Sequence, residues 1–148
     1  LDSFFNVCFI LDNLNRIPQN TSLWLIYILT YINKDIILED IAKIVFCIDF
    51  LYSKLELETN ELSQLIIKIK ELLTQIKSFY QNDGSYKSSL KSSPLEETRY
   101  AIFSINLLED VIQNIIYTYS VSELQPIKKI YENLNDFQLT YKLIREEK

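Results

Sequence analysis

Leu95-Glu96-Glu97-Thr98-Arg99-Tyr100-Ala101-Ile102-Phe103-Ser104-Ile105-Asn106-Leu107-Leu108 carries a pattern that the chain uses three times. Laid without gaps over Leu1 to Leu14 and Leu38 to Leu51, it matches a leading Leu followed by an acid and a Phe at the ninth position (Phe9, Phe46, Phe103). It also matches an aliphatic residue, then Asp or Asn, then Leu two positions on: Leu11-Asp12-Leu14, Ile48-Asp49-Leu51 and Ile105-Asn106-Leu108. Apolar residues at three- and four-residue spacing make each copy a helix. The copies begin 37 and then 57 residues apart, which leaves room for a second helix after each. Helical pairs repeated in this way stack, because each pair has an apolar side that only a neighbouring pair can cover. The expected fold is all-α: three antiparallel hairpins, six helices, in one domain over 1–148. The hairpins lie at about 1–33, 34–82 and 93–148, with a polar connector at 83–92.

Composition agrees. The 148 residues are 48% apolar and 24% charged, a globular balance, and one Gly with three Pro leaves little material for the turns of an all-β fold. The net charge is -5 and the cations are scattered among acids, so no basic stripe exists to follow a phosphate backbone. Nucleic acid is not an expected partner. The longest apolar run, Leu23 to Leu29, is far shorter than the ~20 residues of a bilayer span, and a cytoplasmic location is expected. Cys8 and Cys47 sit in apolar helical runs without CxxC spacing. They read as reduced, buried thiols, and a disulfide between neighbouring helices stays open.

Taken in order, the first helix runs from Leu1 to about Ile17, apolar around most of its circumference and therefore expected to be buried between layers. Pro18 ends it, and a short second helix covers Leu23 to about Ile32. The third runs from about Ile36 to Leu57. The fourth, from Glu61 to about Tyr80, carries one clean stripe: Leu62, Leu65, Ile66, Ile69, Leu72, Leu73 and Ile76. Asp83-Gly84 is placed for a tight turn with positive φ. Ser93-Pro94-Leu95-Glu96 is a capping box with Pro at the first helical position, and it starts the fifth helix. Ser122, Gln125 and Pro126 start the sixth.

The stretch Phe79-Tyr80-Gln81-Asn82-Asp83-Gly84-Ser85-Tyr86 resembles the Asp-Gly-Gly/Ser-aromatic turn that follows an outer helix in the prenyltransferase and terpenoid-cyclase superfamily. Leu95 to Ala101 is similar to that superfamily's Leu-x-Asp-Thr-(Arg/Tyr)-(Tyr/Phe)-Ala start of the next inner helix, with Glu97 where Asp is usual. Leu1-Asp2-Ser3-Phe4-Phe5 is similar to the same start, whereas Leu38 to Leu51 keeps only its apolar skeleton. The resemblance implies an arc of an α/α toroid whose first helices face a common centre. A solenoid of HEAT type is the alternative for the hairpins, although it leaves Asp83 to Tyr86 unexplained. The departures bear on function: the chain has no His for the superfamily's zinc site and no Asp-x-Asp-Asp run for its protonating cyclases. A full toroid needs more than three hairpins, so the arc needs another chain or further repeats to close.

The candidate ligand contacts follow from the repeat. Asp12, Asp49 and Asn106 share one position, where polar groups at the mouth of a cavity can bind a cation or orient a head group. Phe46, Tyr100 and Phe103 can wall an apolar ligand or stabilise positive charge. Rings at helical spacing also serve as core, and the alignment places Phe103 at a buried position. Glu96 and Glu97 suit the first turn of a helix and read as structural. Neither Cys has a His to activate it. No catalytic, metal or cofactor residues are expected. The expected role is a non-catalytic binding or scaffold module for a peptide, a protein partner or an apolar small molecule. The alternative is a fragment or subunit of a terpenoid-cyclase-like or prenyltransferase-like enzyme.

Overall fold

The computed structural model of the protein describes residues 1–54 and 59–118, and these are all-helical. Five helices follow one another: α1 (Asp2–Asn13), α2 (Thr21–Leu29), α3 (Leu38–Tyr52), α4 (Thr59–Ser78) and α5 (Pro94–Thr118). The sixth expected helix lies outside the described residues. α1 ends at Asn13, short of the expected Ile17. Leu14 closes it and Asn15 takes a positive φ of 52°, a conformation that Asn tolerates better than most residues, so the chain has left the helix before Pro18 is reached.

α3 is the centre of the packing. Its Leu38, Ile41, Ile44, Val45, Cys47, Ile48 and Leu51 are all fully buried, because α1, α2 and α5 each pack on it and the α3–α5 contact is the most extensive. The sequence explains the demand: a helix apolar on most sides is stable only when covered on most sides. α4 buries Leu62, Leu65, Ile66, Ile69, Leu72 and Ile76, the stripe expected of it.

The pairing of side chains gives the helix directions. Between α1 and α3, Asp2 meets Lys43 at 2.8 Å, the Phe5 and Phe46 rings lie 5.4 Å apart, and Asp12 is near Asp49. The partners advance together along both helices, so α1 and α3 are parallel. The same holds for α3 and α5, where Glu39 lies near Tyr100 and Asp49 near Asp110. α1, α3 and α5 thus run in one direction with α3 in the middle, and α2 and α4 lie between them in the chain.

α1 departs from expectation in burial. Cys8 is its one buried residue, whereas Val7, Phe9, Ile10 and Leu14 are exposed. Phe103, expected inside, is 43% exposed. Phe9 and Phe103 therefore lie at the surface, and Phe46 is half-buried.

The connector at 83–92 is built into the fold. Gln81 N–H donates to Ser85 O at 2.8 Å and Gly84 N–H to Gln81 O at 3.0 Å, and Asp83 accepts from the N–H and hydroxyl of Ser85. Gly84 has φ 87°, which a Cβ would strain. Gly84→Val is expected to cost at least about 1 kcal/mol in urea unfolding, and an unchanged midpoint would show that the turn relaxes freely. Tyr86 is fully buried, with its ring 5.2 Å from that of Tyr80.

Candidate functional site

The face common to α1, α3 and α5 is built from two rows. On α1, Phe5, Phe9 and Asp12 fall on one side at helical spacing; on α3, Phe46 and Asp49; on α5, Phe103, Asn106 and Asp110. The rings meet across the helices: Phe9 to Phe46 is 6.0 Å and tilted, and Phe5 to Phe46 is edge-on at 5.4 Å. Phe46 is half-buried between them, whereas Phe9 and Phe103 are 49% and 43% exposed, more surface than a core ring would leave. Asp12, Asn106 and Asp110 are exposed and Asp49 is half-buried.

Of the expected contacts, Asp12 and Asp49 come near one another. Asp110, one turn beyond Asn106, joins them; sequence reading weighs Glu109-Asp110 as a carboxylate pair and takes it as structural. Burial pushes the Asp49 carboxyl up to about 6, and the like charges of Asp110 and Asp12 push in the same direction. Tyr100 sits apart from this group. It lies towards Glu39 and Lys43 at the start of α3, and its hydroxyl donates to Glu96 at 3.2 Å. Burial first, then the nearby Glu39 and Glu96, hold its hydroxyl above the usual tyrosine value.

Asp49 gives a pH-dependent prediction. Its folded-state value lies above the ordinary 3.8, so the folded chain binds this proton more tightly than the unfolded chain does. The associated stability is fully present below about pH 4 and is lost as pH rises through about 6. Asp49→Asn is expected to stabilise the protein at pH 7.5 by about 1 kcal/mol, allowing for its partial exposure, and to change little at pH 4. Thermal unfolding at the two pH values checks it; an equal effect at both would remove the titration from the account.

A second polar feature lies at the other end of α3. An open cleft of ≈ 320 Å³ is bordered by Asp2, Tyr31, Asn33, Asp35 and Asp40. Lys43 spans its acids in part, bonding Asp2 at 2.8 Å and Glu39 at 3.4 Å. Among the described residues no group of three or more His, Cys, Asp or Glu is placed to hold a metal ion, and no helix is long and apolar enough to cross a membrane.

A further polar node among the described residues is Glu97, which sequence reading placed in the first turn and at the position where the resembling motif has Asp. It is 2% exposed. Its carboxylate accepts from Ser88 N–H at 3.0 and 3.1 Å and from the Ser88 hydroxyl at 2.5 Å, while Ser88 Oγ accepts from Leu38 N–H at 2.8 Å. Thr98 Oγ1 accepts from Tyr86 N–H at 3.0 Å and donates to Pro94 O. The expected capping box is half formed: Glu96 N–H donates to Ser93 Oγ at 3.2 Å, but the Glu96 carboxylate turns to Tyr100. This node fastens elements together and leaves the Phe and Asp rows as the candidate site. Comparison with family models, with curated proteins and with solved structures finds no match for the chain.

Proposed function

We propose that the protein is a non-catalytic binding module built as an arc of an α/α toroid, and that the shared face of α1, α3 and α5 takes a basic, apolar segment of a partner protein. The observation that carries this reading is the occurrence of rings and carboxylates on these helices: Phe9 against the half-buried Phe46, Phe103 exposed on α5, and Asp12 and Asp110 near Asp49. Rings offer contact area and a negative face to cations, and the acids select positive charge. The net charge of -5 works in the same direction.

The test uses two labelled amphipathic peptides with the same apolar face, one with Lys and one with Glu on its polar face. The Lys peptide is expected to bind, and to bind at least about tenfold less tightly to Asp12→Asn/Asp49→Asn and to Phe103→Ala. Phe103 is partly exposed, so its truncation leaves the core in place. Equal binding of both peptides, or affinity indifferent to all these substitutions, would reject the reading.

A second reading, a fragment or subunit of a terpenoid-cyclase-like or prenyltransferase-like enzyme, is favoured by the connector. The two stretches that resemble that superfamily are bonded to each other, Tyr86 N–H to Thr98 Oγ1. Uptake of an isoprenoid alcohol such as farnesol, with no binding of the Lys peptide, would favour it.

A further inference from the structure

We infer that Cys8 and Cys47 close into a reversible disulfide that clips α1 to α3. The inference goes beyond the proposed binding role and does not depend on it. Cys8 is the one buried residue of α1, Cys47 lies in the middle of the buried run of α3, and both are fully inaccessible. Their immediate neighbours in sequence, Phe9 and Phe46, bring their rings to 6.0 Å, which places both thiols at one α1–α3 contact. They sit between the Phe5–Phe46 contact and the approach of Asp12 to Asp49, so parallel helices hold the sulfurs in register from both sides.

Neither sulfur meets solvent in the closed fold, so reaction begins when α1 lifts. α1 is the helix with the least burial to lose, which makes it the element that opens most readily. A glutathione disulfide then suffices as oxidant. The Cys8 thiolate attacks one of its sulfurs, forms a mixed disulfide and releases a glutathione thiolate. Cys47, deprotonated, attacks the Cys8 sulfur and releases the second glutathione. Two protein thiols and one glutathione disulfide become one protein disulfide and two glutathione thiols. The closed loop removes freedom from the unfolded chain and ties down the helix with the weakest hold.

The purified chain is equilibrated across a series of oxidised to reduced glutathione ratios, quenched by alkylation in denaturant, and read by intact mass and peptide mapping. The expected product has lost two hydrogens, carries no alkyl group on either Cys, and yields a peptide joining Cys8 to Cys47. Its thermal midpoint is expected to lie about 5 °C or more above that of the reduced chain and to return on reduction. The inference is overturned by thiols that stay alkylatable at the most oxidising ratio, by glutathione adducts without an internal bond, or by a cross-linked chain that melts no higher than the reduced one.

Discussion

Glu97→Ala is expected to destabilise the protein by about 3–5 kcal/mol, because it leaves a buried polar node without its acceptor. The carboxylate is 2% exposed and takes both polar hydrogens of Ser88. Once it is removed, Ser88 N–H is left inside without a partner, and the hydroxyl that accepts from Leu38 N–H is no longer held. A charged hydrogen bond contributes about 1.5–3 kcal/mol and an orphaned buried donor costs a similar amount, so the total exceeds that of a surface change. Urea unfolding measures it, and Ser88→Ala is expected to reproduce a large part of the loss. A Glu97→Ala midpoint equal to that of the parent would mean that water replaces the carboxylate without penalty. Glu97→Gln keeps one acceptor and turns an amide donor towards Ser88 N–H, so it is expected to fall between the two.

Ile44→Ala is the second large effect, at about 3–4 kcal/mol. Ile44 is fully buried in the helix that three others cover, where the surroundings can relax little and a cavity persists. The comparison that matters is Phe103→Ala. It removes more atoms but from a ring that is 43% exposed, and is expected to cost about 1 kcal/mol. If Phe103→Ala proved the more damaging of the two in the same urea titration, the division between core and binding face drawn here would be reversed.

Much of the architecture is legible in the residues. The stripe on α4 predicts its buried side, and helical periodicity predicts the all-α elements. What misleads is the apolar content of α1. Phe9, Ile10 and Leu14 look like core when hydrophobicity is the only guide, yet they stay exposed because periodicity reports which residues share a side, not whether that side is covered. The repeat alignment likewise assigns Phe103 the wrong burial. The repeat does not place Asp110 beside Asp49, because α3 and α5 are offset by a turn from the alignment and the pattern names Asn106 there. The bonding of Glu97 escapes for another reason. Its partners come from Ser88 and, through it, from Leu38, a bond that spans 50 positions and leaves no periodic trace.

The parallel course of α1, α3 and α5 also has an electrical meaning. Antiparallel neighbours cancel their peptide dipoles; parallel ones add, so these three helices present a common positive pole where they begin and a common negative pole towards their ends. Acids occupy the first pole: Asp2 on α1, Glu39 and Asp40 on α3, Glu96 and Glu97 on α5. The other pole has no basic residue in the last turn of any of the three, and Asp12 and Asp49 stand in the last turns of α1 and α3. Within the last turns of these described helices no cation offsets that field, and a cationic visitor entering it would be drawn in at a rate that falls as ionic strength rises.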